Sequence, residues 1–212
     1  MLLSAKTLNT YDVDASDGPV GTVVDSRFDE VQWGVQDLVV NTRKIVGGRD
    51  VLIPVGAVRE LNTERLKLAL ALMKEQVDSA PAKPDHGGVD TRARSTRDAF
   101  GYHVRARDET FGHLEDLLIE PETWTIRYLL IDTRNWWPGP PVLVAPDWVN
   151  HFDWVAKKLS MDVTADRIKA CPPYDPATPP TREYETILYR HYERAEYWVP
   201  AATPATAPTM DS

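Results

Sequence analysis

The chain of 212 residues contains one cysteine, Cys171, which excludes an intrachain disulfide. It has no long apolar run. The longest, residues 68–73, falls far short of the about 20 residues a spanning helix needs, so no membrane-spanning segment is expected. The opening Met1-Leu2-Leu3-Ser4-Ala5-Lys6 holds no apolar stretch of signal-peptide length, and a cytoplasmic location is expected. A basic surplus is also missing: 24 Lys and Arg stand against 32 Asp and Glu, a net charge of -8. Split along the chain, residues 1–82 carry -3, 83–101 carry +1, 102–172 carry -3 and 173–212 carry -3. Phosphate neutralisation needs a local Lys/Arg surplus, so no nucleic acid partner is expected. No GxGxxG, P-loop, HExxH or GxSxG motif occurs, which removes the commonest signatures of nucleotide, zinc-protease and hydrolase chemistry.

What is present is a repeat. Displacing the chain against itself by 91 residues lays 11–81 over 102–172 without a gap. Seventeen of 71 positions are identical, among them Tyr11/Tyr102, Gly21/Gly112, Asp25/Asp116, Trp33/Trp124, Arg43/Arg134 and Pro81/Pro172. Chance, at roughly one in sixteen per position, gives about four. Two copies of one domain follow, with boundaries at 1–82 and 98–172. Residues 83–97, with Pro84, Gly87, Gly88 and four basic residues over 83–101, read as a linker. A Pro-rich tail with a helix is expected over 173–199, and a disordered C-terminus over 200–212.

Within the second copy, residues 111–119, 124–131, 142–145 and 157–163 show strand patterns. Glu120-Pro-Glu-Thr123 supplies a turn, and Thr164 caps a short helix that ends at Pro172. The first copy repeats the order over 20–28, 33–40, 51–53 and 66–72, again followed by a short helix. Short strands at regular spacing with one helix predict a small barrel and not a βαβ sheet. Gly21 and Gly112 sit inside strand patterns and predict a bulge or a tight bend. In the tail, Thr181 caps a helix whose apolar stripe is Tyr184, Ile187, Leu188, His191 and Tyr192.

The run Phe111-Gly-His-Leu-Glu-Asp-Leu-Leu-Ile119, then Trp124–Arg134, Val142–Pro146 and Val163–Pro172, resembles the PRC-barrel family, in a tandem bacterial arrangement. The first copy matches more weakly, through Val20–Asp25, Leu38–Val40, Val51–Val55 and Lys74–Pro81. The resemblance covers about 150 residues. It implies an all-β protein of two small six-stranded barrels, each with a short helix, plus a C-terminal helix. It also implies a binding or assembly module with no shared catalytic residues. The family's known settings are the cytoplasmic part of a photosynthetic reaction-centre subunit and the C-terminal domain of a ribosome maturation factor. Neither the membrane helix of the first nor the separate RNA-processing domain of the second is expected here, so neither role is expected to transfer.

The expected function is therefore non-enzymatic: an adaptor with a protein partner, or a second copy of the chain as a homodimer, and no cofactor. Six of the seven Trp lie outside the first copy. Trp136 and Trp137, beside Arg134 and a Pro-Gly-Pro-Pro run, read as a loop tip. With Trp148 they form the expected interaction surface, because aromatics and Arg anchor interfaces. The alternative is that they cover the sister barrel or the tail helix. A second reading places a small-ligand or catalytic site in the cleft between barrels, with His113 and Glu115 as its polar groups. A metal site needs three or four ligands with a fixed shell, the first copy has Thr22 and Val24 at these positions, and no second cluster is visible, so no metal is expected. A third, by family analogy alone, is a ribosome- or RNA-associated factor. Trp33 and Trp124 are expected in the core, Asp25 and Asp116 in a turn or hydrogen-bonding role, and Cys171 as an inert core thiol.

Overall fold

The computed structural model describes residues 1–43, 48–84, 92–134 and 139–199. The first half runs β1 (Leu3–Ser4), α1 (Ala5–Leu8), β2 (Asp12–Ala15), β3 (Gly18–Asp29), β4 (Val35–Asn41), β5 (Asp50–Pro54), β6 (Val58–Asn62), β7 (Lys67–Leu70) and α2 (Lys74–Asp78). The second half repeats it as β8 (Ala93–Ser95), α3 (Thr96–Ala99), β9 (His103–Arg105), β10 (Thr110–Glu120), β11 (Thr125–Asp132), β12 (Val142–Val144), β13 (Val149–Asp153), β14 (Lys158–Met161) and α4 (Ala165–Lys169). The tail adds α5 (Arg182–His191).

The fold is mainly β, in two seven-stranded mixed sheets. The first has the order β5-β4-β3-β2-β7-β6 and the second β12-β11-β10-β9-β14-β13. Each contains one parallel pair, β2 with β7 and β9 with β14. Among the described residues no ladder joins β5 to β6 or β12 to β13. Among the described residues each sheet is a path of six strands with a seventh attached, and no closing ladder is seen.

That seventh strand comes from the other half. β1 pairs with β10, Leu3 opposite Ile119, and β8 pairs with β3, Arg94 opposite Phe28. The two pairings are the same contact displaced by 91 residues. Each half lends a strand and a short helix to its sister's sheet. Much of the stretch expected as a linker is therefore structured. Ala93–Ser95 is β8, and Thr96 and Arg97 begin α3. Upstream, the Lys83 N–H donates to the Asp50 carbonyl at 2.9 Å, and Leu52 N–H to the Pro81 carbonyl at 2.8 Å.

A pseudo-twofold seam joins the halves. Val35 N–H donates to the Trp124 carbonyl at 2.8 Å, and Ile126 N–H to the Trp33 carbonyl at 2.7 Å. Trp33 and Trp124 both adopt left-handed backbone, φ 56° and 57°. That conformation costs about 1–3 kcal/mol in a bulky residue. Here each left-handed residue ends a turn and offers its carbonyl to an N–H of the other half. Phe28 stacks on Trp33 at 5.7 Å, Trp33 meets Phe152 at 5.6 Å, and Phe152 stacks on Trp154 at 4.9 Å. Trp33 and Trp124 are half-buried at this seam and pack against the core, as expected of a structural pair.

The glycine expectation is met by close approach. A Cβ on Gly21 would lie 2.0 Å from the Asn41 carbonyl oxygen, and one on Gly112 would lie 2.6 Å from that of Asp132. In both ladders the register shifts beside these residues.

In the tail, Thr181 caps α5 by accepting from Tyr184 N–H. The buried face differs from the expected stripe. It carries Glu185, Leu188, Tyr189 and Tyr192, while Ile187 is 55% exposed. The reason is an anchor that apolar periodicity does not register. Glu185 accepts from Tyr128 Oη at 2.7 Å and Tyr197 Oη at 3.0 Å, and pairs with Arg182 at 2.9 Å. Burial, then the hydrogen bond to Glu185, pushes the Tyr128 hydroxyl far above its ordinary range, so it stays a donor.

Candidate functional site

Each exchanged arm is fixed to its host sheet by a buried aspartate. In the second sheet Asp116 accepts from Ser4 Oγ, from Lys6 N–H at 3.1 Å and from Leu117 N–H at 2.8 Å. In the first, Asp25 accepts from Ser95 Oγ at 2.6 Å, Arg97 N–H at 3.2 Å and Ser26 N–H at 2.8 Å. Thr96 Oγ at 3.1 Å and Lys83 Nζ at 3.2 Å complete its set. Three of these contacts are identical once displaced by 91 residues. Burial raises the Asp116 carboxyl, against hydrogen bonds from Ser4, Lys6 and Leu117 that lower it.

Beside each aspartate the host sheet and the arm leave equivalent surfaces, filled differently. Over the first sheet lies an open cleft of about 640 Å³. Its floor is Gly21 and Thr22, and both halves contribute walls: Asn41, Arg43 and Asp50 from the first, Arg97 and Asp98 from the second. Asp25 is already held by its five donors and Asp50 by Asn41 Nδ2 at 2.6 Å. Arg43, Arg97 and Asp98 are exposed.

In the second half the equivalent of Thr22 is His113, that of Val24 is Glu115, and that of Asn41 is Asp132. His113 lies directly opposite Asp132 in the β10–β11 ladder. The ladder shifts register between Leu114 and Asp116, so Glu115 is the extra residue of a bulge, a device that re-aims a side chain. His113 Nε2 lies 3.7 Å from a carboxylate oxygen of each. The structure thus brings together two residues expected at one site and supplies a third, Asp132. That third residue is 19 positions from His113 and reaches it only through the hairpin.

Cations hold the carboxylates. Arg134 donates to both Asp132 oxygens, from Nε at 3.0 and 3.1 Å and from a terminal nitrogen at 2.7 Å. These bonds bring the Asp132 carboxyl down to about 2. Lys6, from the exchanged arm, pairs with Glu115.

The expected interaction surface divides. Arg134 is 73% exposed along its side chain. Trp136 and Trp137 lie outside the described residues, as does 200–212. Trp148 is corrected. It is 2% exposed, with Tyr192 at 4.3 Å and Tyr189 at 5.5 Å. The tail helix covers it, so it is a core residue of the second half and offers no surface to a partner. Cys171 is buried and its thiol is pushed up to about 11 by burial, which keeps it protonated.

No helix among the described residues is long and apolar enough to cross a membrane. A scan against protein-family models and a search of curated proteins gave no match for this chain.

Proposed function

We propose that the chain is a non-enzymatic binding or adaptor protein built from two PRC-type six-stranded barrel modules, recognising an acidic segment of a protein partner. The strand order, repeated twice with matching short helices in each half, supports the family reading. The cleft over the first sheet carries the functional one. It is large enough for a peptide segment and both halves build it; Arg43 and Arg97 stand exposed on its walls against one exposed carboxylate, Asp98, while Asp25 and Asp50 are engaged internally. Small-molecule sites are mostly apolar and enclosed. An open, charged cleft suits a charged chain segment. The protein's net charge of -8 does not oppose this at contact range, since distant charges are screened beyond about 8 Å at physiological salt. Arg134 occupies the position of Arg43 in the second half. Trp136 and Trp137 follow two and three positions after Arg134 in the sequence and are proposed as further contacts of the partner.

The test is a photo-crosslinking residue placed at position 43 of the full chain, with a control at Arg59 on the edge strand β6. The expected outcome is one protein captured from position 43, with yield falling about tenfold or more when Arg97→Glu is added. Capture from position 59 alone, or capture from 43 that Arg97→Glu leaves unchanged, would overturn the reading.

A further inference from the structure

We infer that His113, Glu115 and Asp132 form a binding site for a divalent first-row transition ion such as Zn²⁺, on the second sheet and distinct from the cleft of the first. All three ligand atoms lie within 4.8 Å of one another. Two donors about 2.1 Å from one metal stand about 3.0–3.4 Å apart at octahedral to tetrahedral angles. The 3.7 Å separations from His113 Nε2 therefore need only small side-chain rotations to close.

The donor set is of the right kind. One imidazole nitrogen with two carboxylate oxygens suits zinc-like ions and leaves further positions for water. It is also held in place. His113 and Asp132 are a cross-strand pair whose backbones the ladder fixes, and the bulge directs Glu115 to the same spot. The trio belongs to the second copy alone. The equivalent positions in the first are Thr22, Val24 and Asn41, which offer no charged or imidazole ligand.

Arg134 and Lys6 occupy the carboxylates without the ion, and both have room to withdraw, at 73% and 43% side-chain exposure. A dication brings the same neutralisation to two carboxylates at once. Ion binding therefore competes with these two cations, and through Lys6 it is linked to the exchanged arm α1.

The experiment is titration of the full-length protein with Zn²⁺, read by calorimetry, and with Co²⁺, read by its visible ligand-field absorption. One ion per chain is expected. His113→Ala and Asp132→Asn should each weaken binding about tenfold or more, and Arg134→Ala should leave it as tight or tighter, because it removes a competitor. Far-UV circular dichroism identifies any variant that has lost its fold. Asp132→Asn, which keeps the side-chain shape, stands in if His113→Ala is misfolded. No binding by the wild-type chain up to about 1 mM, binding unaffected by His113→Ala and Asp132→Asn, or binding lost in Arg134→Ala would each overturn the assignment.

Discussion

Asp25 and Asp116 hold the two arms through hydrogen bonds to an ionisable acceptor, the kind that contributes about 1.5–3 kcal/mol when one partner is charged. Asp116→Ala leaves Ser4 Oγ and two backbone N–H groups without their acceptor. A loss of about 1.5–3 kcal/mol is expected, measured as a lower urea midpoint with an unchanged slope. Asp25→Ala should cost at least as much, since Asp25 has five donors. Gly21→Ala places a methyl 2.0 Å from a backbone oxygen, where nothing flexible can give way. About 1–3 kcal/mol of destabilisation is expected from the same assay. Cys171, with its thiol pushed up to about 11, should resist alkylation at pH 8 and label only under unfolding conditions or well above pH 10. The identity of Asp25 with Asp116 and of Gly21 with Gly112 was legible in the repeat. What each of these residues touches was not, because the arm's donors to Asp116 lie 110 and 112 residues away in sequence.

The long, strongly patterned elements could be read locally. Residues 111–119 and 124–131 became β10 and β11, and the caps at Thr164 and Thr181 bound their helices as capping chemistry requires. The short elements could not. β1 has two residues and β8 and β9 three each, too few to show a period. They are strands only because a longer neighbour offers them an edge. The buried face of α5 differs from the apolar stripe for a related reason. A buried glutamate looks solvated in a sequence, and Glu185 is buried because Tyr128, Tyr197 and Arg182 satisfy it. Glu185→Ala removes the acceptor of a fully buried tyrosine hydroxyl, with an expected cost of about 1–3 kcal/mol. The tail should then lift from Trp148, seen as a red shift in tryptophan emission. An unshifted spectrum would mean that α5 is held by its apolar contacts alone.

At the scale of the whole molecule, the exchange of arms makes the two halves interdependent. Each sheet has six strands of its own and a seventh from its sister, and the aromatic seam adds pairs worth about 0.5–1.5 kcal/mol each. The chain should therefore unfold in one cooperative transition, with circular dichroism and tryptophan fluorescence superimposing. Expressed separately, fragments 1–84 and 85–212 should each be unstable or aggregate, because each bears an arm with no host sheet and a sheet edge with no arm. Mixed, they should reassemble to the native spectrum. Two separate transitions, or two independently stable fragments, would show that the arms decorate the halves without binding them.

By itself the sequence determined that there are two copies, where most strands lie, and that both copies share a glycine, an aspartate and a tryptophan at matching positions. These are local or periodic properties: alternation of side chains, turn residues and the displacement of 91. Only the tertiary structure decided that β1 and β8 cross to the opposite sheet, that Trp148 lies beneath the tail, and that Asp132 completes the group around His113 and Glu115. These depend on pairings between residues far apart in the chain. Their free energy comes from edges, buried acceptors and a seam that exist only once both halves have folded.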